Sequence, residues 1–341
     1  MFQRSFYKQY GGVDYSLYGI KINGKYYDSS GGLMTETDFF NTYDKTKKVP
    51  NVENKTDLGN SVMKKLEKVI KIVKGELKLM TWNVFNFRSH GWNKSNSTSH
   101  RSFNEQMKLI KKEDPDIISM QEVAFLDTSQ KYPTSYKTKA ELIDKLNKYN
   151  VYIQKFGRSG KLQNVVAVKK TIESKKDETT FSNGTYKIDK SQPVNVKVTV
   201  NNKEIIIIGF HLPIKDSGTD GEKTAAETAK NILDKVLDYC KDKNAIIMGD
   251  FNRTYKEIAE GRLYEKDSVN IALDNIHKTL FKKYKYKKPD TKTGYKTGKV
   301  IDMILWRKDS VLSSSLSNKV IDLGSNAISD HNPVIQEINI K

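Results

Sequence analysis

A set of polar residues stands where short apolar runs stop. Asn83 closes LKLMTWN, Glu122 closes IISMQE and His211 closes IIIIGFH. Asp250 and Asn252 close AIIMGDFN, Asp302 interrupts VIDMIL, and Asp330 and His331 precede the last apolar run in SDHNPV. Taken singly, each has a plain structural reading. Asn or Asp after a strand begins a turn, and a His there is a hydrogen-bonded scaffold group. Asp302 resists that reading, because a carboxylate inside an apolar run is costly to bury without a partner. Taken together, the set points to a narrow chemistry. Carboxylate and amide oxygens suit Mg²⁺, Mn²⁺ or Ca²⁺, whereas a zinc site wants more His or Cys. Two His with acidic partners supply acid and base near neutral pH. Metal, acid, base and amide donors together fit hydrolysis at phosphorus, where charge developing on non-bridging oxygens must be stabilised.

The elements that must hold these residues are legible as hydrophobic patterns. Strands are expected at 77–85, 117–120, 164–170, 194–200, 204–211, 245–251, 300–306 and 333–340. The run EIIIIGFH has no polar face and reads as a strand buried on both sides. Helices are expected around Ser102–Lys112, with Phe103, Met107 and Ile110 inward, over Tyr136–Tyr149, and over Glu222–Lys241, where Ala229, Leu233, Val236 and Cys240 share a stripe. Strands outnumber helices without a regular βαβ rhythm, which favours an α/β sandwich of two sheets over a doubly wound sheet. Residues 1–75 form an N-terminal appendage. There IKINGKYYD (20–28) places Asn23-Gly24 between two strand-like arms, a hairpin signal, and 56–75 reads as an amphipathic helix. The appendage shows no chemistry; a sheet-edge cover, a protein-partner contact or a delivery role all remain open for it.

Composition narrows the class. The 341 residues carry 59 Lys+Arg against 41 Asp+Glu, a formal charge of +18, and 37% hydrophobic residues. No apolar run approaches the roughly 18 residues of a membrane helix. Cys240 is the sole cysteine, which excludes a disulfide framework. The first residues hold no apolar leader segment, so the chain reads as cytoplasmic unless it is a trimmed secreted form. Of the 59 basic residues only seven are Arg. With frequent Asn and Ile, that excess has two readings: A/T-rich coding, or a polyanionic partner such as nucleic acid or an anionic membrane.

In order and wording, TWN (81–83), DIISMQEV (116–123), GFHLP (209–213), GDFN (249–252), VIDMIL (300–305) and SDHNPV (329–334) resemble the endonuclease/exonuclease/phosphatase superfamily, the deoxyribonuclease I-like fold. The resemblance covers about residues 77–341. It implies a four-layer α/β sandwich, two packed mixed β-sheets flanked by helices, with the site at one edge and the catalytic domain spanning 76–341. It also implies roles. Glu122 is the main metal carboxylate, with Asn83 and Asp330 nearby. Asp250 and Asn252 hold a second cation, or the phosphate and attacking water. His331 is the general base, oriented by Asp302. His211 is the general acid or a donor to the phosphate. His211 follows the deoxyribonuclease I, cytolethal-distending-toxin B, sphingomyelinase, inositol-phosphatase and deadenylase branches rather than the abasic-site endonucleases.

FGRSGKLQNVVAV (156–168) resembles the deoxyribonuclease I segment that carries an Arg, a Tyr and the Glu paired with the first His. Arg158 matches the Arg, Lys161 stands at the Tyr, and Gln163 at the Glu. Gln163 brings no charge to His211, so at this position the sequence departs from the acid/base pairing that the resemblance implies. Asn164 resembles a phosphate-contacting Asn, with a strand-entry turn as the structural alternative. Between Lys278 and Lys299 stand nine Lys and one acid, Asp290, interleaved with Phe281, Tyr284, Tyr286 and Tyr295. The stretch runs into Asp302 and is expected to border the site as a phosphate-tracking surface, with Lys283, Lys285 and Lys287 as contacts. Arg253 is a further phosphate-contact candidate. Trp82 and Trp306 are expected in the core.

The expected activity is that of a divalent-metal-dependent phosphodiesterase on DNA with little sequence preference, since lysines neutralise a backbone without reading bases. Alternatives from the same resemblance are a phosphoinositide phosphatase or sphingomyelinase-type enzyme and an RNA-directed, deadenylase-like nuclease. A binding protein on an inactive scaffold is disfavoured by the intact polar set. The oligomeric state is left open.

Overall fold

Alternation of side chains along each strand decides which face meets helices and which meets a second sheet. The computed structural model describes residues 20–22, 25–27, 33–35, 38, 75–87, 98–124, 139–154, 162–179, 181, 193–212, 219–266, 269–289, 291–294, 298–313, 318–323 and 328–341. The chain divides into two units, Met1–Gly75 and Glu76–Lys341. In the first, strands β1 (Ile20–Ile22), β2 (Lys25–Tyr27) and β3 (Leu33–Met34) pair antiparallel in that order. The arms of the expected hairpin are therefore paired, while its turn lies outside the described residues. So does the helix read over 56–75, apart from Gly75.

The second unit begins with β4 (Glu76–Asn83), α1 (Thr98–Glu113), β5 (Ile117–Ala124), α2 (Lys139–Lys145), β6 (Tyr149–Ile153), β7 (Leu162–Lys169), β8 (Glu173–Lys176), β9 (Val194–Val200) and β10 (Lys203–His211). It continues with α3 (Thr219–Cys240), β11 (Ala245–Asp250), α4 (Tyr255–Ala259), β12 (Arg262–Lys266), β13 (Val269–Ala272), α5 (Asn275–Lys282), β14 (Tyr284–Lys285), β15 (Asp302–Arg307), β16 (Leu312–Ser313), β17 (Asn318–Val320) and β18 (Val334–Ile340). One sheet runs β14-β15-β11-β10-β9-β8. The other runs β16-β18-β4-β5-β7-β6, with β17 also on β18. Both are mixed: β10–β11 and β4–β5 are parallel and the other neighbours antiparallel. This is the α/β sandwich of two mixed sheets flanked by helices.

Each sheet packs one face on helices. Ile206, Ile208 and Phe210 of β10 and Ala245 and Ile247 of β11 share a core with Ile232, Leu233, Val236 and Cys240 of α3. Met80 and Trp82 of β4 and Ile118 and Met120 of β5 share another with Phe103, Met107 and Ile110 of α1. The alternate residues then face the opposite sheet. Gly209 shows how closely the sheets approach: a Cβ there would meet Val166 Cγ2 at 2.5 Å and Ser119 Oγ at 2.7 Å. Ser119 Oγ crosses the same gap to donate to the Met248 carbonyl at 3.3 Å.

Of the helix expected over Tyr136–Tyr149, the described part is helical over Lys139–Lys145 and stops before Leu146. Tyr149 instead opens β6, where YNVYI pairs with β7, and β-branched and aromatic residues favour that pleated setting. Trp82 and Trp306 are buried, as expected. Among the described residues no helix is long and apolar enough to cross a membrane.

Candidate active site

The face alternation that builds the core also gathers the polar set. In β4, Asn83 shares the inter-sheet face with Leu79 and Thr81. In β10, His211 shares it with Ile207 and Gly209, and in β11, Asp250 shares it with Ile246 and Met248. Register places His211 beside Asp250, and Asp250 beside Asp302 at the start of antiparallel β15. Strands β4, β10 and β11 therefore end, and β15 begins, at one mouth between the sheets. Gly249, just before Asp250, has no room for a side chain, since a Cβ would lie 1.8 Å from the Phe210 carbonyl oxygen.

Asp250 is the hub. It is 1% exposed, and its Oδ2 accepts from Asn83 Nδ2 at 3.1 Å, a hydrogen bond between the two sheets. The same oxygen lies 3.6 Å from His211 Nε2 and 3.7 Å from His331 Nε2, so two imidazoles flank one carboxylate. Its Oδ1 accepts from the Asn252 backbone N–H at 2.8 Å, an Asx turn. That turn holds Asn252 at φ 54° and aims its amide back at β10. Asn252 Nδ2 donates to the Leu212 carbonyl at 2.6 Å and stands 2.9 Å from His211 Nε2. Arg253 donates from Nη1 to the Asn252 carbonyl at 2.6 Å.

Glu122 comes from the other sheet. The β5–β7 register shifts between Met120 and Val123, and Glu122 has φ 55°. A bulge of this kind re-aims a side chain. Its Oε1 lies 3.9 Å from His211 Nε2. The carboxylates facing His211 thus come from β5 and β11, whereas Gln163 sits on β7 opposite Val123.

His331 is fixed on every side. Its Nδ1 is 2.8 Å from Asp302 Oδ2, its carbonyl accepts from Trp82 Nε1 at 2.9 Å, and its N–H donates to Ser329 Oγ at 3.2 Å. Ser329 Oγ donates in turn to the Asn83 carbonyl at 2.6 Å. With Nδ1 engaged, Nε2 is the nitrogen that faces Asp250. Burial opposes charge on His331, but Asp302 and Asp250 outweigh it, and the Asp302 hydrogen bond and Asp330 add to them. The imidazole is pushed up to about 10. Burial pushes the Asp302 carboxyl up as well, with His331 working against it and Asp250 with it. The two groups titrate as a pair.

Asp234, Asp274 and His277 bring three ligand atoms within 4.8 Å of one another, as do Asp250, Asp302 and His331. The first trio has a local explanation: Asp274 caps α5 and holds His277 through its N–H and Nδ1, at 3.0 and 2.6 Å. The second lies at the mouth. Glu122 and Asp330 belong to neither trio, although Glu122 is at His211 and Asp330 acts on His331. Four carboxylates at one mouth would repel a phosphate ester, so the donor set fits a divalent cation between them.

The other expected contacts are spread out. Arg158 lies outside the described residues. Asn164 is buried at the mouth end of β7, where its N–H donates to Gln154 Oε1 at 3.1 Å. The lysine stretch is corrected: it does not border the site along its length. Lys283 follows α5, and Lys285 pairs with Trp306 at the opposite end of β15 from Asp302. Lys287 is exposed two residues further on. The later part of the stretch reaches the site. There Thr293 Oγ1 accepts from the N–H groups of Ile301 and Asp302 at 2.9 and 3.0 Å, and Gly294 bridges to His331. Thr293, Ser329 and Asn332, which donates to the Thr293 carbonyl at 2.7 Å, are supports that sequence reasoning missed. Ser329 and Asn332 flank Asp330-His331 and had that signal; Thr293, inside a Lys-rich loop, had none.

The profile of the Endonuclease/Exonuclease/phosphatase family matches residues 80–331. No curated protein matches the sequence. Solved structures share the fold. The endonuclease/exonuclease/phosphatase from Beutenbergia cavernae has a TM-score of 0.57 at 15% identity, over 78% of this chain and 72% of that one. Truncated TDP2 of Caenorhabditis elegans has 0.51 at 15%, over 77% and 98%. TDP2 of D. rerio, complexed with a single strand DNA product, has 0.52 at 14%, over 77% and 99%.

Proposed function

Because this chain belongs to the endonuclease/exonuclease/phosphatase family, whose members hydrolyse phosphate esters, we propose that it is a divalent-cation-dependent phosphodiesterase cutting DNA with little sequence preference. The observation that carries the reading is His331, held 2.8 Å from Asp302 through Nδ1 while its Nε2 faces Asp250. Glu122, Asn83 and Asp330 would hold Mg²⁺, Mn²⁺ or Ca²⁺, which supplies charge for the non-bridging phosphate oxygens. His331 Nε2 takes a proton from water as the water oxygen bonds to phosphorus. The bond from phosphorus to the leaving oxygen breaks, and His211 donates a proton to that oxygen or a hydrogen bond to the phosphate. Asn252 orients His211, and Asp302 stabilises the imidazolium that forms. A base must begin unprotonated. The carboxylates hold a proton on His331, and a positive charge among them opposes that.

DNA is favoured by the +18 charge and by lysines carried in front of β15. The single strand DNA product held by the structurally similar protein from D. rerio is consistent with it. The test is a substrate panel with a Lys283→Glu, Lys285→Glu, Lys287→Glu variant. The expected result is DNA cleavage by the wild type and at least about tenfold weaker DNA binding by the variant, as loss of three phosphate neutralisers implies. Release of inorganic phosphate or phosphocholine with DNA left intact, or consumption of poly(A) alone, would overturn the choice of DNA.

A further inference from the structure

Helix α1 carries one residue that its apolar stripe does not explain. Phe103, Met107 and Ile110 pack with β4 and β5, and Gln106 is buried beside them at 0% exposed. Burying an amide is costly unless its groups are paired. The pairing here is one-sided. Gln106 Oε1 accepts no hydrogen bond among the described residues. Its Nε2 lies 2.5 Å from the Ile328 carbonyl, 3.1 Å from Ser102 Oγ and 3.2 Å from the Val84 carbonyl. Ser102, one turn earlier on α1, donates from Oγ to the same Ile328 carbonyl at 2.6 Å. A Met would fill the space of Gln106 without an unsatisfied oxygen, so packing alone does not account for the amide.

Both carbonyls border the catalytic mouth. Val84 follows Asn83, and its N–H donates at 3.0 Å to the carbonyl of Gln121, the neighbour of Glu122. Ile328 precedes Ser329-Asp330-His331. Two donors from α1 occupy both lone pairs of the Ile328 carbonyl. Because the peptide unit is planar, fixing that oxygen fixes the plane that ends at the Ser329 Cα. Ser329 Oγ then meets the Asn83 carbonyl at 2.6 Å and receives the His331 N–H at 3.2 Å. We propose that Gln106, together with Ser102, is a positioning residue for His331. The two side chains set the place of the segment carrying His331 relative to Asn83, so that the imidazole meets Asp302 and Asp250 together. Neither side chain touches the reacting atoms. The inference rests on the reading of His331 as the base, and adds that its placement is set from the helix layer as well as by Asp302. A tether that only anchored α1 to the sheet would support stability and leave the imidazole where it is.

The test compares wild type with Gln106→Met, which keeps the volume and removes the donors, and with Ser102→Ala. Ile110→Val, one turn further along α1, is the packing control. Turnover of bis(p-nitrophenyl) phosphate in saturating Mg²⁺ gives kcat and KM, and thermal unfolding checks that each variant is folded. The indole N–H resonance of Trp82, one of three tryptophans, reports the His331 segment, since that N–H donates to the His331 carbonyl at 2.9 Å. The expected result is kcat lowered about tenfold or more in Gln106→Met and in Ser102→Ala, within the hundredfold that a misplacement of about 1 Å can cost. KM should stay within about twofold, because the loss falls on the transition state. The Trp82 indole proton should shift upfield in both variants as its hydrogen bond lengthens. Ile110→Val should keep kcat within about twofold and leave the indole resonance in place. A kcat within about twofold of wild type in both clamp variants, an unmoved indole resonance, or an equal loss in Ile110→Val overturns the positioning role while leaving His331 as the base. Wild type that hydrolyses no phosphodiester in Mg²⁺, Mn²⁺ or Ca²⁺ overturns the phosphodiesterase reading and the positioning role with it.

Discussion

Replacing Asp302 by Asn tests the buried pair most sharply, because it removes a charge and almost no volume. Asp302 is 0% exposed and sits 2.8 Å from His331 Nδ1. In the wild type His331 is pushed up to about 10, against burial, by Asp302 first and Asp250 next. Without the Asp302 charge, burial and Asp250 remain in opposition, and the imidazole should return toward its ordinary value near 6.5. Breaking a buried ion pair costs roughly 3–5 kcal/mol. If that cost falls on the transition state, where His331 becomes an imidazolium, the rate drops by roughly two to four decades at 1.36 kcal/mol per decade. The assays are the turnover number on a small phosphodiester with saturating Mg²⁺, and NMR titration of His331 in EDTA. Thermal unfolding of the variant checks that the fold persists. A turnover number within about threefold of wild type would refute the pairing as a catalytic device. So would a His331 titration that does not move.

Two further predictions concern the scaffold. Gly209→Ala places a methyl against Val166 and Ser119 across the inter-sheet gap. It should lower unfolding free energy by about 1–3 kcal/mol, read from urea midpoints, and an unchanged midpoint would mean the sheets yield there. Glu113 is half-buried; burial raises its carboxyl, but Lys319 at 3.1 Å and Lys78 at 3.3 Å outweigh that and draw it below the ordinary 4.5. Because its folded value is depressed, its stabilisation is present above about pH 4.5 and is lost as pH falls through the folded value. Glu113→Gln should therefore cost about 0.5–1 kcal/mol at pH 7, both lysines being partly exposed, and little once the wild-type carboxyl is protonated; a constant difference at every pH would contradict the pairing.

Much of the site was legible because strand periodicity and strand ends are sequence-level signals. Asn83, His211 and Asp250 each stand at the end of an apolar run and Asp302 interrupts one, and alternation turns all four toward the same gap. The position of Glu122 was less accessible, since its aim depends on a bulge that no residue pattern in IISMQEV announces. The place of Lys285 is not legible in the sequence, because nearness to Asp302 along the chain does not set nearness in space. An antiparallel edge pairing carries Lys285 to the far end of β15 before the chain returns through Thr293. Tyr149 reads as helical by local periodicity, which is blind to the partner strand that pairs with it. The acidic neighbours of His211 come from β5 and β11, a long-range pairing that Gln163 on β7 could not reveal.

The most direct test of the central claim uses DNA without ends. Single-stranded circular DNA and a supercoiled plasmid are incubated with the protein in Mg²⁺ and in EDTA, beside His331→Ala. The proposed function predicts linear products from the circle and nicks in the plasmid, dependent on metal and absent with His331→Ala. Both DNAs intact in Mg²⁺, Mn²⁺ and Ca²⁺, or cleavage that persists in the variant, would contradict it.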